Sequence, residues 1–163
     1  MTTLHVHLDE QRCTFRTGDG ELVAPLGTGV LGAQISGDPP RADDLSNAIG
    51  AVHDALDDVV RELPDALGAA LVEVTGPAIA AIADVEVGAP AVLPLDLDRD
   101  AAEDVFRTVA TERRTDRGRN PGLAPEQVDA IVPAACVVVG IMRRLRVDRV
   151  RVVALASDDN GTP

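Results

Sequence analysis

The sequence predicts one α/β domain built on a mixed β-sheet. Two observations lead to this prediction: the first residues alternate between apolar and polar side chains, and the later chain alternates helical patterns with short apolar runs. The first pattern is typical of antiparallel strands with one buried face, and the second is typical of strands joined by helical crossovers. At 163 residues, the chain has the length of a single domain.

Residues 3–24 predict three antiparallel strands. Apolar side chains alternate from Thr3 to Arg16 and are interrupted by the polar residues 9–11, which predicts a hairpin. A Gly-Asp-Gly turn at residues 18–20 then precedes a short third strand over residues 21–24.

A helix, a strand and a second helix follow. Asp38-Pro39-Pro40 breaks the chain before an amphipathic helix from Ala42 to Leu63. Residues 69–74 predict a buried strand that ends at Thr75-Gly76-Pro77, and residues 78–83 predict a helix whose first turn accommodates the proline.

The last part of the chain predicts two more helices and a strand. Asp100 and Glu103 have the spacing of a capping box, so a helix is expected to begin there. The Arg-rich residues 111–119 are expected to form an exposed loop. A long helix over residues 125–145 then leads into a strand over residues 147–155.

The predicted element order is βββαβαα(α)β. Three antiparallel strands followed by helical crossovers are typical of a ribonuclease-H-like mixed sheet. We expect residues 1–156 to form this domain and the polar residues 157–163 to be a frayed tail.

Composition and charge exclude several classes of partner. The formal net charge is −12 and the pI is about 4.5, so neither nucleic acid nor an anionic membrane is an expected partner. Cys13 and Cys136 match no metal-binding spacing and are expected to be buried, reduced thiols. With no signal segment and no apolar run of ~18 residues, a cytoplasmic location is expected.

Three segments of the chain, in order, carry more specific motifs. The first is Pro25-Leu26-Gly27 followed by Gly37-Asp38-Pro39-Pro40 and a long helix. The second is the strand and glycine turn Val72-Glu73-Val74-Thr75-Gly76-Pro77, and the third is Pro121-Gly122-Leu123 followed by Val128-Asp129-Ala130-Ile131-Val132-Pro133. Together they resemble the second half of the exopolyphosphatase/guanosine pentaphosphate phosphatase family, within the actin-like ATPase superfamily.

The resemblance implies a half-domain of the actin-like ATPase fold. A proline inside a helix costs about 3 kcal/mol unless its neighbours relieve the lost bond, so Pro133 indicates a helix kink of the kind this family shares. Members of the family hold polyphosphate between two halves, with a glycine-rich loop in each. Their catalytic Glu and Mg²⁺-binding acids come largely from the first half.

Departures from the family pattern bear on function. The first half is absent from these 163 residues, and the family's phosphate loop D-I-G-G-G-S-T-E corresponds to residues 7–14, His-Leu-Asp-Glu-Gln-Arg-Cys-Thr. Glycines there would let phosphate approach the backbone, whereas Asp9 and Glu10 would repel it. Gln127 occupies the position of the family's Arg in the last helix, and Pro77 occupies the position of its Thr after the second glycine. The C-terminal G-L-R-E-G element is absent.

Two sets of residues are candidate ligands for a metal or a phosphate. His5, His7 and Asp9 share one face of the first strand, where they would bind Zn²⁺ or another divalent metal; the alternative is polar side chains on the solvated face of an edge strand. Thr75-Gly76 ends a strand before a helix and is a candidate phosphate or nucleotide site, because free N–H groups point outwards there. The alternative is a tight turn.

Two further charged segments have simpler explanations. The basic cluster of Arg113, Arg114, Arg117 and Arg119 would attract an anionic ligand, or it is an exposed loop balanced by nearby acids. Residues 96–100 are similar to a calcium loop but lack its Gly at the sixth position and its Glu at the twelfth, so helix capping is preferred.

No catalytic residue is assigned, because no Ser-His-Asp or Cys-His set can be argued from one sequence. The leading hypothesis is a non-catalytic relative of the phosphatase family that acts by protein binding or assembly. One alternative is a subunit of a split phosphohydrolase that needs a first-half partner and Mg²⁺. Another is a phosphate- or nucleotide-binding module built on Thr75-Gly76. No other cofactor is expected.

Self-association is the expected mode of assembly. The resemblance implies that a sheet edge and several helices, which the first half covers in the family, are left with apolar surface exposed. Large apolar patches mark interaction sites, so a twofold homodimer or a complex with a first-half protein is expected. The net charge of −12 opposes association, so salt should strengthen it.

Overall fold

The computed structural model describes residues 1–155, and these residues contain one six-stranded mixed sheet. The strands are β1 (Thr3–Leu8), β2 (Cys13–Thr17), β3 (Gly20–Ala24), β4 (Leu71–Thr75), β5 (Leu95–Asp98) and β6 (Arg149–Val152). Their spatial order is β3-β2-β1-β4-β6-β5. The pairs β1–β4 and β4–β6 are parallel, and the other three pairs are antiparallel. The predicted mixed α/β sheet is therefore confirmed.

Six helices connect these strands, together with 3₁₀ turns at Pro64–Ala66 and Pro125–Gln127. The helices are α1 (Thr28–Gly32), α2 (Ala42–Glu62), α3 (Pro77–Val87), α4 (Arg99–Thr111), α5 (Arg114–Arg117) and α6 (Ile131–Leu145). The longest of them, α2, begins where the sequence predicts and ends one residue earlier.

Helix α6 lies at the centre of the helical layer. Every residue from Ile131 to Met142 is buried, and the helix contacts α1, α2, α3 and α4. The contact with α2 is tight at Gly140, where an added Cβ would lie 2.7 Å from Val52 Cγ1. Because the chain has no Trp or Tyr and only two Phe, branched aliphatic side chains fill this core.

Only one face of the sheet is covered by these helices in the described part of the chain. Inward side chains such as Leu4, Val74 and Val150 are fully buried. Side chains on the opposite face, such as His5, Glu73 and Arg149, are half-buried or exposed. We call this surface the open face. It is polar.

Several local predictions are wrong. Pro133 causes no kink, because the last helix begins at Ile131 and the proline lies in its first turn, where its missing N–H would have no partner. Residues 111–119 are not a simple loop, since they contain α5 and the buried Arg117. The strand β5 was not predicted.

Other predictions are confirmed or lie outside the described residues. Cys13 and Cys136 are buried and unpaired, and burial raises the pKa of each thiol to about 12. No helix among residues 1–155 is long and apolar enough to cross a membrane. The expected tail at residues 157–163 lies outside the described residues.

The close contact at Gly140 gives a stability prediction. Gly140→Ala should lower the free energy of unfolding by about 1–3 kcal/mol, because the added methyl group overpacks the α2–α6 contact. Gly50→Ala is the matched control: nothing lies within 4 Å of a Cβ at this position of α2, so the change should raise stability by about 0.5–1 kcal/mol. Urea unfolding measures both values. Equal effects of the two substitutions would show that the helices can separate without cost.

Candidate functional site

The parallel strands β1 and β4 end side by side, and a cleft opens beyond their carboxyl ends. This is the usual ligand position in open α/β sheets. The first part of the cleft has a volume of about 500 Å³ and is lined by residues 8–11, Thr28, Pro77, Ala78, Glu126 and Gln127. The adjoining part, about 560 Å³, shares Glu10, Thr28 and Glu126 with the first and adds Asp38, Arg114, Arg117 and Asp129. We call the two parts together the end cleft.

The loop after β1 is fixed by its own hydrogen bonds. Asp9 Oδ1 accepts from the backbone N–H groups of Gln11 and Arg12, both at 2.8 Å. These two bonds hold the pKa of the Asp9 carboxyl below its usual range, and the bond from Arg12 has the larger effect. The charged carboxylate therefore stabilises the turn and is not directed at a metal.

The same loop is bound to the start of α1. Thr28 N–H donates to Asp9 O and Gly29 N–H donates to Glu10 O, each at 2.9 Å. Gly27 permits this approach, because a Cβ there would lie 2.2 Å from the Glu10 backbone. These backbone donors are thus already used inside the protein.

The Thr75 side chain and the backbone at Gly76 do not face a common ligand position. Gly76 has φ +138°, and a Cβ would lie 2.2 Å from Leu8 O, so glycine is required for the close approach of β4 to β1. The next residue, Pro77, has no N–H to offer at the start of α3. The Thr75 side chain lies on the open face, away from the end cleft that Pro77 lines.

Arg114 is held at the surface of the end cleft by acids. Its guanidinium donates to both oxygens of Asp129, at 2.8 and 3.1 Å, and its backbone N–H donates to Asp38 Oδ1 at 2.7 Å. The hydrogen bond with Asp129 raises the pKa of Arg114 and lowers that of Asp129.

Arg117 is buried and has a structural role. Only 4% of the residue is exposed, and its guanidinium donates to the carbonyl oxygens of Val109 at 3.0 Å, Val128 at 3.1 Å and Glu112 at 3.2 Å. Burial lowers its pKa. The prediction of an exposed basic cluster is therefore wrong for Arg117. This residue joins the end of α4 to the segment before α6.

The lining of the end cleft is acidic. Asp9, Glu10, Asp38, Glu126 and Asp129 contribute five carboxylates, whereas the two arginines are Arg114 and Arg117. Only Asp9 of these five was a predicted site residue, and the sequence did not single out Asp38, Glu126 or Asp129 for a site. Each lies in a connecting segment, and only the fold places these segments beside the loop after β1.

The open face carries a row of charged and polar side chains, one from each of the six strands. Cross-strand register aligns Glu21, Arg16, His5, Glu73, Arg151 and Asp96 in that order. His5 Nδ1 lies 3.2 Å from Glu73 Oε2, and Arg151 Nε donates to Asp96 Oδ1 at 2.9 Å. This bond lowers the pKa of Asp96. The row lies beside a groove of about 580 Å³.

The predicted metal ligands are not assembled. His5 and His7 share the open face, but β1 is an inner strand rather than an edge strand, and Asp9 is occupied in the turn. His7 Nδ1 and Thr75 Oγ1 are buried with no hydrogen-bond partner within residues 1–155. In this part of the chain no three His, Cys, Asp or Glu side chains are grouped to hold a metal ion.

The segment similar to a calcium loop is a helix cap. Asp98 accepts from Ala101 N–H at 2.8 Å and is the N-cap of α4. The helix therefore begins before Asp100, where the sequence placed the cap. Asp96 is paired with Arg151.

Comparison with known proteins identifies the fold. No protein-family model and no curated protein matches the sequence. Among solved structures, an exopolyphosphatase-like protein superimposes with a TM-score of 0.86 and 15% identity, over 94% of this chain and 55% of its own. The chain has the fold of half a Ppx/GppA protein.

Two further structures agree. A type II variant of the Aquifex aeolicus Ppx/GppA phosphatase matches with a TM-score of 0.83 and 14% identity. An exopolyphosphatase from Cytophaga hutchinsonii matches with a TM-score of 0.75 and 15% identity. Both cover 94% of this chain, which spans 53% of theirs. At these identities the likeness confirms the predicted resemblance at the level of the fold.

The burial of Arg117 gives a second stability prediction. Arg117→Met should lower the free energy of unfolding by about 1–3 kcal/mol, because buried carbonyl groups lose their donors. Arg114→Met removes an exposed ion pair and should change stability little. Denaturant unfolding of both variants tests this difference. A loss at Arg114 that equals the loss at Arg117 would contradict the assignment of Arg117 as the buried connector.

Proposed function

We propose that this chain is a non-catalytic relative of the Ppx/GppA fold that acts by binding protein rather than by hydrolysing phosphate anhydrides. The observation that supports the proposal is the charge of the end cleft. Five carboxylates line it, and its two arginines are bonded to other groups of the protein.

A phosphate site needs donors that are free to face the ligand. At the start of α1, Thr28 and Gly29 give their N–H groups to the loop after β1. At the start of α3, Pro77 has no N–H. A polyphosphate entering this cleft would exchange its hydration for carboxylates of its own sign, which is unfavourable in a partly enclosed space.

A second function, one subunit of a split phosphohydrolase, is favoured by the length of the match. The chain covers about half of each similar structure, and in this alternative a separate protein supplies the other half. Glu10 and Glu126 would then face that protein across the end cleft, and carboxylate oxygens are ligands that Mg²⁺ accepts. In this arrangement the carboxylates would bind Mg²⁺, and the phosphate would bind the metal rather than the carboxylates.

The charge of the end cleft predicts the outcome of a binding experiment. The purified chain should release no phosphate from polyphosphate or guanosine pentaphosphate with Mg²⁺ and should show no calorimetric binding of polyphosphate. Glu10→Gln combined with Glu126→Gln should bind polyphosphate measurably, because two repelling charges are removed and two amide groups that can donate hydrogen bonds take their place. The control is Glu21→Gln combined with Glu86→Gln, which makes the same change in net charge at exposed positions outside the cleft.

Hydrolysis by the wild-type chain alone would refute the non-catalytic proposal. Equal gains in affinity from the cleft pair and the control pair would show that total charge, rather than the charge of the cleft, excludes polyphosphate.

The split-enzyme alternative predicts complementation. Mixing the chain with a first-half homologue encoded in the same genome should give a complex and Mg²⁺-dependent release of phosphate, and Glu10→Gln or Glu126→Gln should reduce that release. Co-purification and a phosphate assay measure both effects. A complex without phosphate release would favour a binding role, and no complex would remove this alternative.

A further inference from the structure

The two edges of the sheet differ in how they are protected. Edge strand β5 has four residues, of which Asp96 and Asp98 are charged and exposed, and Asp98 is also the N-cap of α4. Short, charged edges resist pairing with another strand. Edge strand β3 has five residues, no proline and one charge, Glu21, and its Val23 side chain is 48% exposed.

The hydrogen-bond phase of β3 follows from its hairpin. Thr17 and Gly20 close a two-residue turn, which makes them a hydrogen-bonded pair. Bonding then alternates, so Leu22 and Ala24 bond to β2 while the N–H and C=O groups of Glu21 and Val23 point away from the sheet. The bond from Asp9 N to Arg12 O, 3.0 Å, sets the same phase on the other side of β2.

We propose that β3 pairs with β3 of a second copy of this chain, antiparallel and about a twofold axis at Leu22. In this register Glu21 faces Val23 of the second copy, and both carry the outward backbone groups, so each such pair exchanges its N–H···O bonds. A shift of one pair in one direction would place Glu21 against Glu21, which is unfavourable. A shift in the other direction would leave only the Val23 pair to bond.

The surroundings of β3 suit a second copy. A groove of about 530 Å³ runs between β3 and α2. Its apolar lining includes Leu22, Val23, Leu26, Ala51 and Ala55, and its charged lining residues are Glu21, Asp58, Arg61 and Glu62. The axis places Leu22 against Leu22 on the side of the sheet that α2 covers, so the half-buried side chain becomes enclosed. The small side chains of Ala51 and Ala55 leave room for it.

This inference extends the proposed function, since it names a second copy as the partner. The dimer must overcome repulsion between two chains of net charge −12. Screening weakens that repulsion but not backbone pairing, so sedimentation should show a dimer that is favoured at high salt and dissociates at low salt. A monomer at both salt concentrations would overturn the inference and would leave the proposal on the end cleft intact, because phosphate release tests that proposal separately.

Charge variants at Val23 test the register. Val23→Glu places like charges opposite one another twice and should weaken association about tenfold. Val23→Arg places opposite charges there and should leave association unchanged or stronger. Val92→Glu and Val92→Arg make the same changes in net charge at a side chain that is 88% exposed outside the edge, and both should have small effects. Weakening by both Val23 variants would overturn the register.

A cross-link tests the axis. Leu22→Cys should form a disulfide-linked dimer under mild oxidation, because only a residue on the axis meets its own copy. Glu21→Cys and Asp96→Cys should not do so. The native thiols Cys13 and Cys136 are buried and do not interfere. A dimer that cross-links through Asp96→Cys, or one in which Leu22→Cys stays unlinked, would overturn the proposed interface.

Discussion

The burial of α6 is the constraint on which the rest of the fold depends. The helix is apolar from Ile131 to Met142, and four other helices contact it. With almost no aromatic residues, the core gains its density from backbones that approach closely, as at Gly140. The layer around α6 then fixes one face of the sheet, and the polar open face needs no such cover within the described residues.

Three glycines serve packing of backbone against backbone. Gly27 admits the backbone of Glu10, Gly76 admits Leu8, and Gly122 admits Asp84, since a Cβ would lie within 2.4 Å of backbone in each case. In a phosphate loop, glycines give this space to a ligand. Here the chain itself occupies that space.

Most of the fold was predictable from the sequence because its periodicity is strong. The alternation in β1 and β2 and the helical spacing of α2 each specify an element without tertiary information. Other features depend on contacts between distant residues. Arg117 is buried because three carbonyl groups converge on it, β5 is a strand because β6 pairs with it, and the charges of the end cleft meet only when loops far apart in sequence are brought together. Alternation in the strands indicated which side chains share the open face, but the row from Glu21 to Asp96 also requires the strand register.

The position of β6 within the sheet has a consequence for synthesis of the protein. This strand lies between β4 and β5, although both precede it in the chain. While the chain emerges from the ribosome, β5 has no strand to pair with, and β4 can pair only with β1. Residues 149–152 must therefore leave the exit tunnel before the six-stranded sheet is complete. Until then the nascent chain has unpaired strand edges, which chaperones can protect from aggregation.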